Sequence, residues 1–115
     1  MPTIKSLKKS TKSSYTHDNF YNGRPWRRIR ALKLQQEPRC EVSLAIRITV
    51  KATTVDHRLS RRFWPQLQYE LSNLISMTES NHAKKRRLES TITTKEQYLS
   101  MFGLNGALVI ERINK

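Results

Sequence analysis

The pattern of apolar and polar positions changes character several times along the chain. Residues 1–18, "MPTIKSLKKSTKSSYTHD", set few large apolar groups among Lys, Ser and Thr. That is too little surface to offset the entropy of ordering, so a mobile basic arm is predicted. In residues 19–38, "NFYNGRPWRRIRALKLQQEP", Trp26, Ile29 and Leu32 recur at helical spacing, Pro25 suits a first helical position and Glu37-Pro38 ends the run. One helix is predicted there. Residues 40–59, "CEVSLAIRITVKATTVDHRL", are rich in Val, Ile and Thr and partly alternate at Ile46, Ile48 and Val50. This predicts a short β-hairpin or two irregular strands.

"SRRFWPQLQYE" reads as a connection anchored by Phe63, Trp64 and Tyr69, because Pro65 interrupts any regular element. Ser72 or Asn73 can then cap a helix through "LISMTESNHAKKRRLES", with Leu71, Leu74 and Met77 facing inward and Lys84, Lys85, Arg86 and Arg87 outward. Basic residues in its last turns suit the helix dipole. The tail predicts a helix from about Thr94 to Met101, a turn holding Gly103 and Gly106, and a final short strand, "ALVIERI". The fold class is therefore α+β, with an arm at 1–18 and a single domain at 19–115.

Composition sharpens this picture. The chain has 115 residues and 37% apolar content, enough for one small core. Twenty-two Lys and Arg against nine Asp and Glu leave a formal charge of +13, which points to a polyanionic partner, foremost nucleic acid. Cys40 is the single cysteine, so no intramolecular disulfide can form and a reducing cytoplasm is the expected setting. No apolar run approaches the roughly 20 residues of a membrane span, and the N-terminus lacks the apolar stretch of a signal peptide. A soluble protein with no membrane partner and no small-molecule cofactor is expected.

The candidate chemistry lies in "TTVDHRL", where Asp56 and His57 end a predicted strand, with His82 on the helix that follows. Packing strand on helix brings such positions together, and Asp with His is a donor set for a divalent metal with open positions left over. Phosphodiester hydrolysis needs a base for water and positive charge on the developing phosphorane. His57 can be the neutral base, while Asp56 and His82 hold the metal. Each residue also has a plainer reading. Asp56 and His57 can be a solvated strand end, Asn73 a helix cap, His82 an exposed helical residue, and residues 84–87 a solvated face. His17, in the arm, reads as polar filler, and the aromatic residues read as core or loop anchors.

Taken in order, "VDH", Asn73 and His82 resemble the HNH endonucleases and their ββα-metal site, in the small form found in bacteriophages. "FYNGRPWRRIR" is similar to the aromatic and basic segment before the motif, so the likeness spans residues 20 to about 88, with a motif core at about 40–88. The resemblance implies a ββα-metal core with an N-terminal helix and a C-terminal helix and strand extension. It implies a metal-dependent DNA endonuclease in which Asp56 and His82 bind a divalent ion, Mg or Mn ahead of Zn, Ni or Co. His57 would be the general base, and Asn73 would fix the loop and the His57 strand. Arg58, Arg61 and Arg62 are candidates for phosphate contacts. Lys84, Lys85, Arg86 and Arg87, with Arg27 and Arg28 and the arm at 5–12, extend the candidate DNA footprint. A dimer or a phage packaging partner is compatible with this reading.

One departure stands out. Many phage relatives carry two CxxC pairs for a structural zinc, but the corresponding positions here are Cys40, Ser43, Thr78 and Asn81. A tetrahedral site needs four good N or S donors, so no structural zinc is expected, and apolar contacts and hydrogen bonds must hold the hairpin to the helix. The same loss keeps open the alternative of a catalytically inactive, DNA-binding accessory protein on the HNH scaffold.

Overall fold

The computed structural model describes residues 19–115. The proposed arm at 1–18, with the candidate contacts at 5–12 and His17, lies outside them. A 3-10 turn, Asn19–Asn22, leads into helix α1, Arg24–Gln36, with Pro25 in its first turn. Trp26 is buried, with Ile29 and Leu34 packed around it, whereas Leu32 is 42% exposed. The inward stripe therefore follows the true helical period and not the exact three-residue spacing.

Residues 40–50 do not form the expected hairpin. Cys40 caps a one-turn helix α2, Glu41–Leu44, its Sγ accepting the Ser43 amide at 3.4 Å. A turn follows in which Arg47 takes a positive φ of 65°. Ile46 and Ile48, read as alternating strand positions, are 53% and 48% exposed. Only an isolated bridge between Arg39 and Lys51 remains of the pairing. β-branched residues without a neighbouring edge have no ladder to join, so their propensity alone makes no strand.

Strand β1, Thr54–His57, instead pairs antiparallel with β2, Leu74–Met77, so that Asp56 faces Ile75 and His57 faces Leu74. β2 occupies residues expected to be helical. Its four residues are all buried, and a short apolar run buried on both faces has no periodicity to separate strand from helix. Helix α3 begins only at Glu79 and runs to Glu89. Its cap is Thr78, not Ser72 or Asn73, with Thr78 Oγ1 accepting the Asn81 amide at 3.2 Å. The order β1, loop, β2, α3 makes a ββα unit.

The C-terminal part closes one side of this unit. Helix α4, Lys95–Phe102, matches the helix expected from about Thr94 to Met101, and Thr94 is its cap. The tail then forms helix α5, Val109–Asn114, and not a strand. Helical geometry buries Val109 and Ile113 while turning Glu111 to solvent, which a period of two would place on the same face. Gly106, at φ 70°, lets this segment approach β1, since a Cβ there would lie 2.8 Å from Arg58 Cβ.

Two apolar clusters lie on the two sides of the sheet. Ile75 and Met77 join Tyr98, Phe102, Val109 and Ile113 in the larger one. Val55 and Leu74 meet Trp26 of α1 in the smaller. Glu41 ties the halves together, accepting the Ser76 amide at 2.8 Å and pairing with Lys33 and Arg58. Among the described residues, no helix is long and apolar enough to cross a membrane.

Candidate functional site

Successive residues of a strand leave opposite faces, and β1 uses this at its end. His57 points toward α1, 1% exposed, with its ring centroid 5.2 Å from Trp26 and 6.0 Å from Phe20. Asp56 points toward α3. A cleft borders both residues, lined also by Tyr21, Thr54, Glu79 and His82.

Hydrogen bonding orients each imidazole and sets the tautomer of His57. His57 Nε2 lies 3.0 Å from the carbonyl oxygen of Gln68, which can only accept, so Nε2 carries the proton and Nδ1 keeps the lone pair. Nδ1 sits 4.0 Å from Asp56 Oδ1. Burial lowers the His57 pKa from 6.5, outweighing the opposing effects of Gln68 and Asp56. The ring is neutral at pH 7.

On α3, His82 Nδ1 donates to Glu79 Oε1 at 3.1 Å, and Thr54 Oγ1 donates to the other Glu79 oxygen at 3.1 Å. His82 Nε2 faces Asp56 Oδ2 at 3.8 Å, and it is the nitrogen a neutral ring would offer to a cation. A carboxylate holding the far nitrogen of a histidine is the usual support for a metal-binding imidazole. Glu79, three residues before His82, was missed in the sequence, although i,i+3 spacing puts the two on one helix face. Burial opposes ionisation of Asp56, but Lys85 and His82 overcome it and lower its pKa below 3.8.

The donor chemistry fits one divalent ion shared by Asp56 Oδ2 and His82 Nε2. Among the described residues, no group of three or more His, Cys, Asp and Glu is gathered to hold a metal. A hard cation on two protein donors takes its remaining ligands from water and substrate oxygens.

Asn73 does not border the cleft. Its Oδ1 accepts the Leu59 amide at 3.0 Å, and its Nδ2 donates to the Leu59 carbonyl at 3.1 Å and the Leu67 carbonyl at 3.4 Å. It clamps the exit of β1 to the loop before β2, two residues beyond His57. Its contacts are those of a positioning residue.

The basic candidates separate into groups. Arg61, Arg62 and Arg86 line the cleft, and so does Arg30, which sequence reasoning passed over in favour of Arg27 and Arg28. Arg27 and Arg28 are exposed on α1 outside the cleft, with Arg27 donating to the Asn22 carbonyl. Lys84 and Arg87 are exposed on α3 and do not line it. Arg58 turns away, to Glu41 at 3.3 Å. Lys85 corrects the expectation of an outward basic face. It is 0% exposed, and its Nζ lies 3.1 Å from Asp56 Oδ2 and 2.6 Å from Glu89 Oε2. A side chain so enclosed has no surface for a phosphate. Burial would lower its pKa, but Asp56, Tyr98 and Glu89 hold it well above the usual lysine value.

Cys40, Ser43, Thr78 and Asn81 converge where α2 meets the start of α3. Asn81 Nδ2 lies 3.3 Å from Cys40 Sγ and 3.4 Å from Ser43 Oγ, and the Asn81 amide is held by Thr78. Hydrogen bonds thus join the four positions.

No protein-family profile matches the sequence, and no curated protein matches it. A solved structure does. The crystal structure of the HNH endonuclease of the deep-sea thermophilic bacteriophage GVE2, with manganese ion, superposes with a TM-score of 0.62 at 24% identity. The match covers 76% of this chain and 96% of that one. The β1, β2 and α3 unit with its flanking helices is accordingly an α+β HNH endonuclease fold.

Proposed function

We propose that the protein is a metal-dependent DNA endonuclease of the HNH type. The single observation that carries this is the pairing of Asp56 Oδ2 with His82 Nε2 at 3.8 Å, beside a neutral His57 whose Nδ1 is free to accept a proton. The fold of the phage enzyme and the manganese in its crystal agree with the reading. The charge of +13 favours a polyanionic substrate.

In the proposed reaction, His57 Nδ1 takes a proton from water as the oxygen attacks phosphorus, and the Gln68 carbonyl stabilises the imidazolium that forms. Asp56 and His82 would hold a divalent ion, which would supply positive charge to the phosphate and to the 3′-oxygen as the P–O3′ bond breaks. The 3′-oxygen takes its proton from solvent water. Arg30, Arg61, Arg62 and Arg86 hold the phosphates, through contacts that position DNA without reading sequence. Asn73 keeps the β1 exit in place and Glu79 orients His82. The products are 5′-phosphate and 3′-hydroxyl ends.

An inactive DNA-binding module on the same scaffold is the rival, favoured by one observation: Lys85 already pairs with the oxygen a metal would use. Supercoiled plasmid incubated with Mg2+ or Mn2+, beside an EDTA control, decides between them. Metal-dependent nicking or linearisation is expected, whereas retardation of DNA with no cleavage in either metal would establish the module.

A further inference from the structure

Lys85 is the one Lys, Arg, Asp or Glu that is fully enclosed among the described residues, and the reaction above makes no use of it. All three N–H bonds of its ammonium have acceptors: Asp56 Oδ2 at 3.1 Å, Glu89 Oε2 at 2.6 Å and Tyr98 Oη at 3.2 Å. The Tyr98 hydroxyl, on α4, lies 2.8 Å from both the Arg58 carbonyl, one residue past His57, and Glu89 Oε2, and its one proton is shared between these acceptors. The rings of Tyr98 and Phe102 close over the ammonium at 5.8 and 5.5 Å. A charge enclosed in this way is retained only with its partners in place. The oxygen it holds, Asp56 Oδ2, is also the one that faces His82 Nε2.

We propose that Lys85 is a positioning residue and built-in counter-cation. It holds Asp56 in its ligand geometry in the metal-free protein, and it weakens metal binding because an incoming divalent ion must share Asp56 with it. Without Lys85, Asp56 and Glu89 would be neighbouring carboxylates that have lost the cation between them. That arrangement is unstable by itself and attracts a dication strongly. The lysine therefore favours a preformed site at the expense of affinity. The metal half of this inference rests on the nuclease reading, through Asp56 and His82 as ligands, but the metal-free half does not.

The full chain, with Lys85→Met, Asp56→Asn and the two combined, is unfolded with urea in EDTA, without DNA. Lys85→Met is expected to lower the midpoint, and adding Asp56→Asn to recover part of the loss. Strictly additive shifts would overturn the coupling. Mn2+ titrations read by the electron paramagnetic resonance of the free ion form the second arm. Lys85→Met is expected to bind roughly tenfold tighter than the wild type, and Asp56→Asn to abolish binding in both backgrounds. Equal or weaker binding by Lys85→Met, or no binding by either protein, would overturn the affinity claim. Should Lys85→Met fail to fold, Lys85→Met/Glu89→Gln removes both charges, and tighter Mn2+ binding than wild type is still required of it. Both effects in a protein that never cuts DNA would sink the nuclease reading and leave this inference standing.

Discussion

The two faces of the β1–β2 pair treat adjacent residues in opposite ways. On the α1 side, His57 lies against the rings of Trp26 and Phe20 and loses its hydration, so its charged form is disfavoured. On the α3 side, Asp56 is flanked by Lys85 and His82 and stays ionised in spite of burial. One dipeptide thus presents a neutral imidazole and a charged carboxylate at the same pH. The residue types alone permit either state, and the surroundings select it.

The sharpest break of this contrast is His57→Ala. In the proposed reaction it removes the base while leaving the α3 side intact, so plasmid cleavage should fall about 10²–10⁴-fold. Mn2+ affinity, read by calorimetry, should not change. Trp26→Leu comes next, since it opens the α1 side without touching a reacting group. Its stability cost in urea should stay below the roughly 3–5 kcal/mol of a full truncation to Ala. The wild-type pH profile should lose activity only below 6.5, because the folded pKa of His57 is lowered from that value, and Trp26→Leu should move this limb upward as water reaches the ring. The sign for stability follows the same shift. As pH falls through 6.5 toward the folded pKa, the unfolded chain takes up a proton that the folded chain does not, and stability is lost across that window. The smallest effect belongs to Glu79→Ala on the other side, which frees the His82 ring and should weaken Mn2+ binding about tenfold. An unchanged affinity would remove Glu79 from the support of His82.

Legibility varied with how local the cause was. Helices α1 and α4 could be read because Pro25 and Thr94 mark their starts and the apolar spacing agrees. The start of α3 could not be read from Ser72 or Asn73. Burial on both sides makes Leu74–Met77 a strand, and the cap falls to Thr78. The tail misled in the other direction, since Val109 and Ile113 suit either period until a packing partner is known. Asp56, His57, Asn73 and His82 were singled out by order and spacing. Their separations, and the indirect part taken by Asn73, depend on the loop between the strands.

By itself the sequence determined the charge balance, the starts of α1 and α4, and which residues could accept a proton or bind a cation. These follow from side-chain chemistry and from neighbours within a turn. Only the tertiary structure decided which strand pairs with Thr54–His57, which arginines face the cleft, and that one lysine of "KKRR" is a buried counter-charge. Pairing and desolvation arise from groups distant in the chain. Lys85 differs from Lys84 only in facing Asp56 and Tyr98, which lie 29 residues before it and 13 after it.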